Sequence, residues 1–100
     1  MCKSLISMGL WFYNSTTKID VVQIAFYNNG SSLGTFETTF PNDVQRHWMT
    51  GNIIVDHNAT DYFEGYIRSE TSDGSAIEAP STSGSATNWR NYFQGFKLIT

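Results

Sequence analysis

Charge is scarce in this 100-residue chain: Asp, Glu, Lys and Arg together make up 15% of it, against roughly a quarter in an ordinary globular protein. Ion pairing therefore cannot organise most of its surface. The six Lys and Arg are scattered and the net charge is −3. The basic stripe that releases counterions from a phosphate backbone is missing, so nucleic acid is not an expected partner. Cysteine is limited to Cys2, which leaves no intrachain disulfide and, at a terminus, frays more readily than it reacts. Leu and Ala number only four and five, and helical periodicity is hard to find anywhere. No apolar run approaches the ~18 residues that a membrane span requires. Met1 to Tyr13 carries one Lys before a mainly apolar stretch, but no small-residue cleavage site follows, so neither a signal peptide nor membrane insertion is expected.

What remains is a chain of one domain's length, residues 1–100, rich in strand formers. Aromatics reach 15%, and Ser plus Thr supply 22 residues. The alternation predicts strands over Leu5 to Tyr13, Ile19 to Tyr27, Leu33 to Phe40, Trp48 to His57, Asp61 to Ser69 and Asn91 to Ile99, with a short one near Ala76 to Glu78. Asn29-Gly30 is the strongest hairpin signal, because a type I′ turn needs two residues with φ > 0 and this dipeptide supplies them at low steric cost. Pro41 is expected to stop the third strand, leaving Asn42 to His47 as a loop. The run Pro80 to Thr87 is expected to be an exposed loop. Short strands eight to ten residues apart, joined by turn residues, predict an all-β antiparallel sandwich or barrel.

The face patterns carry the functional argument. In the fifth strand Phe63, Gly65 and Ile67 alternate with Tyr62, Glu64, Tyr66 and Arg68, and the first set is expected to face the core. In the first strand Ile6, Met8, Leu10 and Phe12 fill one face while Leu5, Trp11 and Tyr13 load the other. The last strand repeats this, with Phe93 and Ile99 opposite Tyr92, Phe96 and Leu98. A strand apolar on both faces needs cover on both, and the chain offers no helix to provide it. Self-association is the expected solution, with a crowded monomeric core as the alternative.

The segments Gly51-Asn52-Ile53-Ile54-Val55, Asp61-Tyr62-Phe63-Glu64-Gly65-Tyr66-Ile67 and Tyr92-Phe93-Gln94-Gly95-Phe96-Lys97-Leu98-Ile99 together resemble the globular head of the complement first component. More remotely, they resemble the tumour necrosis factor jelly roll. Phe26-Tyr27-Asn28-Asn29-Gly30 looks like that family's earlier strand and turn. The resemblance implies a jelly roll assembled as a homotrimer about an aromatic axis and used as a binding head or structural knob, as also found on viral fibres and capsid surfaces. It further implies that the family's first strands lie outside this chain or come from a neighbour. No collagen-like stalk is present.

On this reading the subunit contact is assigned to Leu5, Trp11, Tyr13, Tyr62, Glu64, Tyr66, Phe96 and Leu98, with solvated surface as the alternative for Glu64 and Arg68. Contacts with a receptor or scaffold are assigned to loop residues Asn42, Arg46, His47, Trp89 and Arg90. The only histidines are His47 and His57, from which no catalytic triad can be built, and no enzyme activity is expected. Asp56, His57, Asn58 and Asp61 crowd one turn but lack the acidic alternation of a calcium loop. Turn formation explains them, so no metal or cofactor is expected. Asn14, Asn29 and Asn58 begin Asn-x-Ser/Thr triplets, about the number that chance supplies in so Ser/Thr-rich a chain. Trp48, Trp89 and Tyr92 suit either a sugar-stacking surface or interface packing. The expected function is a non-enzymatic trimeric knob at a virion surface, a phage fibre tip or capsid decoration protein. Its partners would be itself, other virion proteins, and a host receptor or glycan. The alternatives are a monomeric carbohydrate-binding module and a secreted, extracellular ligand of the complement-head type.

Overall fold

The structure, a computed structural model, describes residues 2–75 and 91–99, and among these there is no helix. Six strands are present: β1 (Cys2–Tyr13), β2 (Ile19–Asn28), β3 (Ser31–Val44), β4 (Arg46–His57), β5 (Phe63–Thr71) and β6 (Tyr92–Ile99). All six lie where the alternation predicts them, with no end displaced by more than four residues. The expected strand near Ala76 to Glu78, the expected loop from Pro80 to Thr87, and the contact residues Trp89 and Arg90 lie outside the described residues.

The strands form two antiparallel three-stranded sheets, ordered β4-β1-β6 and β3-β2-β5, hereafter the β1 sheet and the β2 sheet. Asn29 and Gly30 join β2 to β3 with φ of 51° and 85°, both positive as a type I′ turn requires.

The expected loop at Asn42 to His47 is absent. β3 runs on through Pro41 and Asn42 to Val44, and β4 resumes at Arg46, so Gln45 alone separates a strand of one sheet from a strand of the other. Pro41 is tolerated because β3 is an edge strand, where a missing N–H costs no ladder bond. It also falls where Val21 opposes Thr39 but Ile19 opposes Val44, a bulge that bends the strand toward the other sheet.

The inward faces of the two sheets build one core. Ile6, Met8 and Phe12 of β1 and Met49 of β4 meet Ile19, Val22, Ile24 and Phe26 of β2, with Phe36, Phe40, Ile53, Val55 and Phe63 packed around them. Phe26 is the bridge: its ring is edge-on to Phe36 at 6.0 Å within its own sheet and lies 6.3 Å from Phe93 on the opposite one. Gly51 sets the spacing on the other flank, since a Cβ there would lie 2.8 Å from the Phe36 ring and 2.9 Å from Ile24 Cδ1.

The connection from β1 to β2 is organised by one buried amide. Asn14 Oδ1 accepts from Thr16 N at 3.1 Å, Thr16 Oγ1 at 2.7 Å and Lys18 N at 2.9 Å, while its Nδ2 donates to Ser75 Oγ at 3.0 Å. Its backbone N–H donates to Gln45 O at 2.8 Å, which ties this turn to the sheet crossover.

Candidate functional site

The two outward faces of this structure differ in kind, and the pairing register shows how. Residues of β1 with odd numbers point away from the core, because their even-numbered neighbours Ile6, Met8 and Phe12 are buried in it. Register then sets Ile54, Leu5 and Phe96 side by side across all three strands of the β1 sheet. Next come the polar row Asn52, Ser7 and Gln94, then Thr50, Gly9 and Tyr92, then Trp48 beside Trp11, and finally Arg46 beside Tyr13. Ile54 and Phe96 are 62% and 52% exposed, and Leu98, beside a bulge in the β1–β6 pairing, is exposed as well.

At the aromatic end the Tyr92 and Trp48 rings, tilted 50° to one another, close over Gly9, which has no side chain beneath them. A Cβ at Gly9 would clash with the Tyr92 ring and lie 3.0 Å from the Trp48 indole, and the two rings are 6.3 Å apart. Asn91 holds the start of β6 in place by accepting the Trp11 N–H on its Oδ1 at 2.9 Å. The Arg46 guanidinium sits 5.7 Å over the Tyr13 ring, and Lys3 pairs with Asp56 at 3.1 Å at the far end. Charge on this face is thus confined to its two ends, with apolar side chains between them, interrupted by the neutral polar row Asn52, Ser7 and Gln94 and by Thr50.

The outward face of the β2 sheet is polar by comparison. Register aligns Glu37, Gln23 and Arg68 across its three strands. Arg68 reaches Gln23 at 3.4 Å and Glu37 at 3.7 Å, and also pairs with Glu70. Toward the hairpin end Tyr27 meets Tyr66 edge to face at 4.6 Å.

Of the residues assigned to a subunit contact, the structure brings five together: Leu5, Trp11, Tyr13, Phe96 and Leu98 are all on the β1 sheet. It sets the other three apart, since Glu64 and Tyr66 lie on the outward face of the β2 sheet and Tyr62 immediately precedes β5. Asn42 is an exposed residue of β3 and Arg46 an exposed residue at the start of β4. His47 points inward, its ring edge-on to Phe40 at 5.0 Å, and burial holds its pKa below the ordinary histidine value. Ile54 was not singled out from the sequence. Its partnership with Leu5 and Phe96 depends on register between distant strands, which alternation within one strand does not reveal.

One polar pair also escapes sequence reasoning. Ser4 Oγ lies 2.8 Å from His57 Nε2, and His57 Nδ1 is 3.1 Å from the Asn58 carbonyl oxygen. The spacing is that of a hydroxyl and its base, but Ser4 is only 7% exposed and faces the core, and the imidazole stands edge-on to Phe63 at 5.2 Å. This is mutual satisfaction of a buried hydroxyl and a half-buried imidazole. The crowded turn that follows is likewise internal. Asp61 accepts from Asn58 N at 2.9 Å and from the Asn29 side chain at 2.9 Å, and these bonds hold its carboxyl below the usual carboxylate range. Among the described residues no group of three or more His, Cys, Asp or Glu is placed to hold a metal ion.

No family model, curated protein or solved structure matches this chain.

Proposed function

We propose that this chain is a non-enzymatic module that assembles with copies of itself through the outward face of the β1 sheet. The observation that carries the reading is the asymmetry of the two outward faces. One has Ile54, Leu5, Phe96 and Leu98 at one end and Trp11, Trp48 and Tyr92 at the other; the other has Glu37, Arg68, Glu64 and Glu70, with aromatic side chains only at its hairpin end, Tyr27 and Tyr66. Ile54, Phe96 and Leu98 are exposed while Leu5, Trp11, Trp48 and Tyr92 are half-buried, and an apolar face of this kind marks an interface. Aromatic side chains bury about 150–250 Å² each at about 25 cal/mol/Å², so even three of them shared between copies outweigh many rim contacts.

Strand connectivity supports a jelly roll. β1 pairs with β6 and β2 with β5, the nested outer pairs of a jelly-roll ribbon, while β3 and β4 are edge strands of different sheets joined by the crossover at Gln45. With the resemblance to the complement-head and tumour necrosis factor group, this favours three copies. The knob would stand on a virion surface, as a fibre tip or a capsid decoration. The β1-sheet faces would lie within the assembly, and the β2 sheet would be turned toward other virion proteins or a host receptor. Sedimentation equilibrium at micromolar concentration tests the assembly. A species of three 11.3-kDa chains supports the proposal and a stable monomer overturns it. Mass analysis of purified virions tests the location.

A second reading uses the same face differently. Trp48 and Tyr92, tilted 50° to one another over Gly9, offer aromatic faces against either of which a sugar ring can stack, as a monomeric carbohydrate-binding module requires. A monomer whose tryptophan fluorescence responds to glycans would favour it.

A further inference from the structure

We propose that Tyr62, Tyr66, Tyr27 and Glu64, at the hairpin end of the β2 sheet, bind an alkylammonium ion, the group carried by a lysine side chain and, in methylated form, by a choline headgroup. Tyr27 and Tyr66 meet at 72° with centroids 4.6 Å apart, and the Tyr66 hydroxyl donates to the Glu64 carboxylate at 3.3 Å. Tyr62 and Tyr66 are 57% and 49% exposed, far more than interior packing would leave them. The Tyr62 backbone is also fixed: its N–H donates to Asn29 Oδ1 and its carbonyl accepts the Asn29 N–H, both at 3.0 Å.

The electrostatics select a cation. Aromatic faces carry negative quadrupole potential and attract ammonium groups. Among the described residues Glu64 enters no ion pair, and Arg68, the guanidinium on this face, is engaged by Glu37 and Glu70. The Glu64 carboxylate raises the Tyr66 phenol's pKa, consistent with negative potential that nothing nearby offsets. The cluster is on the sheet opposite the proposed assembly face, so this inference does not rest on the oligomeric state.

The test is NMR titration of the tyrosine ring signals with choline, with Nα-acetyl-lysinamide, and with 3,3-dimethylbutan-1-ol, a neutral molecule of choline's shape. Saturable shifts at Tyr62 and Tyr66 with either ammonium compound, and none with the alcohol, support the proposal; the tighter of the two identifies the source. Glu64→Gln and Tyr66→Leu are each expected to weaken binding about threefold, and Tyr66→Phe to preserve it. Tyr62→Leu, outside the strand, keeps the test open if Tyr66→Leu does not fold. Equal shifts with the neutral alcohol, or no shift with either ammonium compound, would overturn it.

Discussion

Asn29 and Asp61, thirty-two residues apart, lock the β2–β3 turn to the β4–β5 turn: the Asn29 amide donates to the Asp61 carboxylate at 2.9 Å while its oxygen accepts the Tyr62 N–H at 3.0 Å. The residue that makes the hairpin turn by adopting positive φ also clamps the neighbouring loop. Local turn chemistry and long-range attachment therefore reside in one side chain.

That clamp makes part of the fold's stability acid-sensitive. The Asp61 carboxyl is held low by the Asn58 N–H first and the Asn29 amide second, while its unfolded value is near 3.9. Its contribution is complete above that unfolded value and is lost as pH falls through the lower folded one. Urea unfolding followed from pH 6 to pH 2 should show this loss in the wild type and a smaller one in Asp61→Asn. Identical pH profiles would contradict the assignment.

Assembly through the β1 sheet makes an asymmetric prediction. Phe96→Asp or Ile54→Lys, both on exposed positions, should shift sedimentation toward monomer while leaving the circular dichroism spectrum that of an all-β protein. Thr35→Lys on the outward face of the other sheet should leave the sedimentation coefficient unchanged. Equal effects from the two faces would remove the face-specific interpretation.

The Asn14 hub should be costly to remove. Asn14→Ala leaves the Thr16 and Lys18 N–H groups without their acceptor, for a loss of roughly 1–3 kcal/mol in denaturant unfolding. Asn14→Asp keeps the acceptor but loses the donation to Ser75, and should fall between the alanine variant and the wild type.

Two backbone-level variants should move stability in opposite directions. Gly51→Ala drives a methyl group into the Phe36 ring and Ile24, and should cost about 1–3 kcal/mol. Thr17 adopts φ of 59°, a left-handed conformation that a β-branched residue occupies at a cost. Thr17→Gly should be neutral to stabilising by up to about 1 kcal/mol, since relief of that strain exceeds the entropy glycine loses on folding. Both are read from the urea midpoint.

The strands, most of their inward residues and the Asn29-Gly30 turn were legible in the sequence because each is a period-two or nearest-neighbour property; Ile67, expected to face the core with Phe63, is instead 52% exposed. Pairing was not. Leu5, Tyr62 and Tyr66 looked like one apolar-aromatic set, yet Leu5 and Tyr66 sit on outward faces of different sheets, a fact fixed by which strands hydrogen-bond. The run Pro41-Asn42-Asp43 carried every local mark of a loop, and it became strand because an edge position excuses Pro41 and a bulge absorbs the extra residues. Asn14 read as an ordinary turn residue, since nothing near it in sequence announces Ser75 and Gln45 as its partners.

The pairing of β1 with both β4 and β6 bears on the order of assembly in the cell. The middle strand of that sheet is synthesised first, yet its second neighbour emerges some eighty residues later, at roughly 5–20 residues per second. Throughout that interval one backbone edge of β1 is a ready template for any passing strand. Newly made copies on the same message are the nearest candidates, so slow translation between β4 and β6 should favour mispaired product over the native fold.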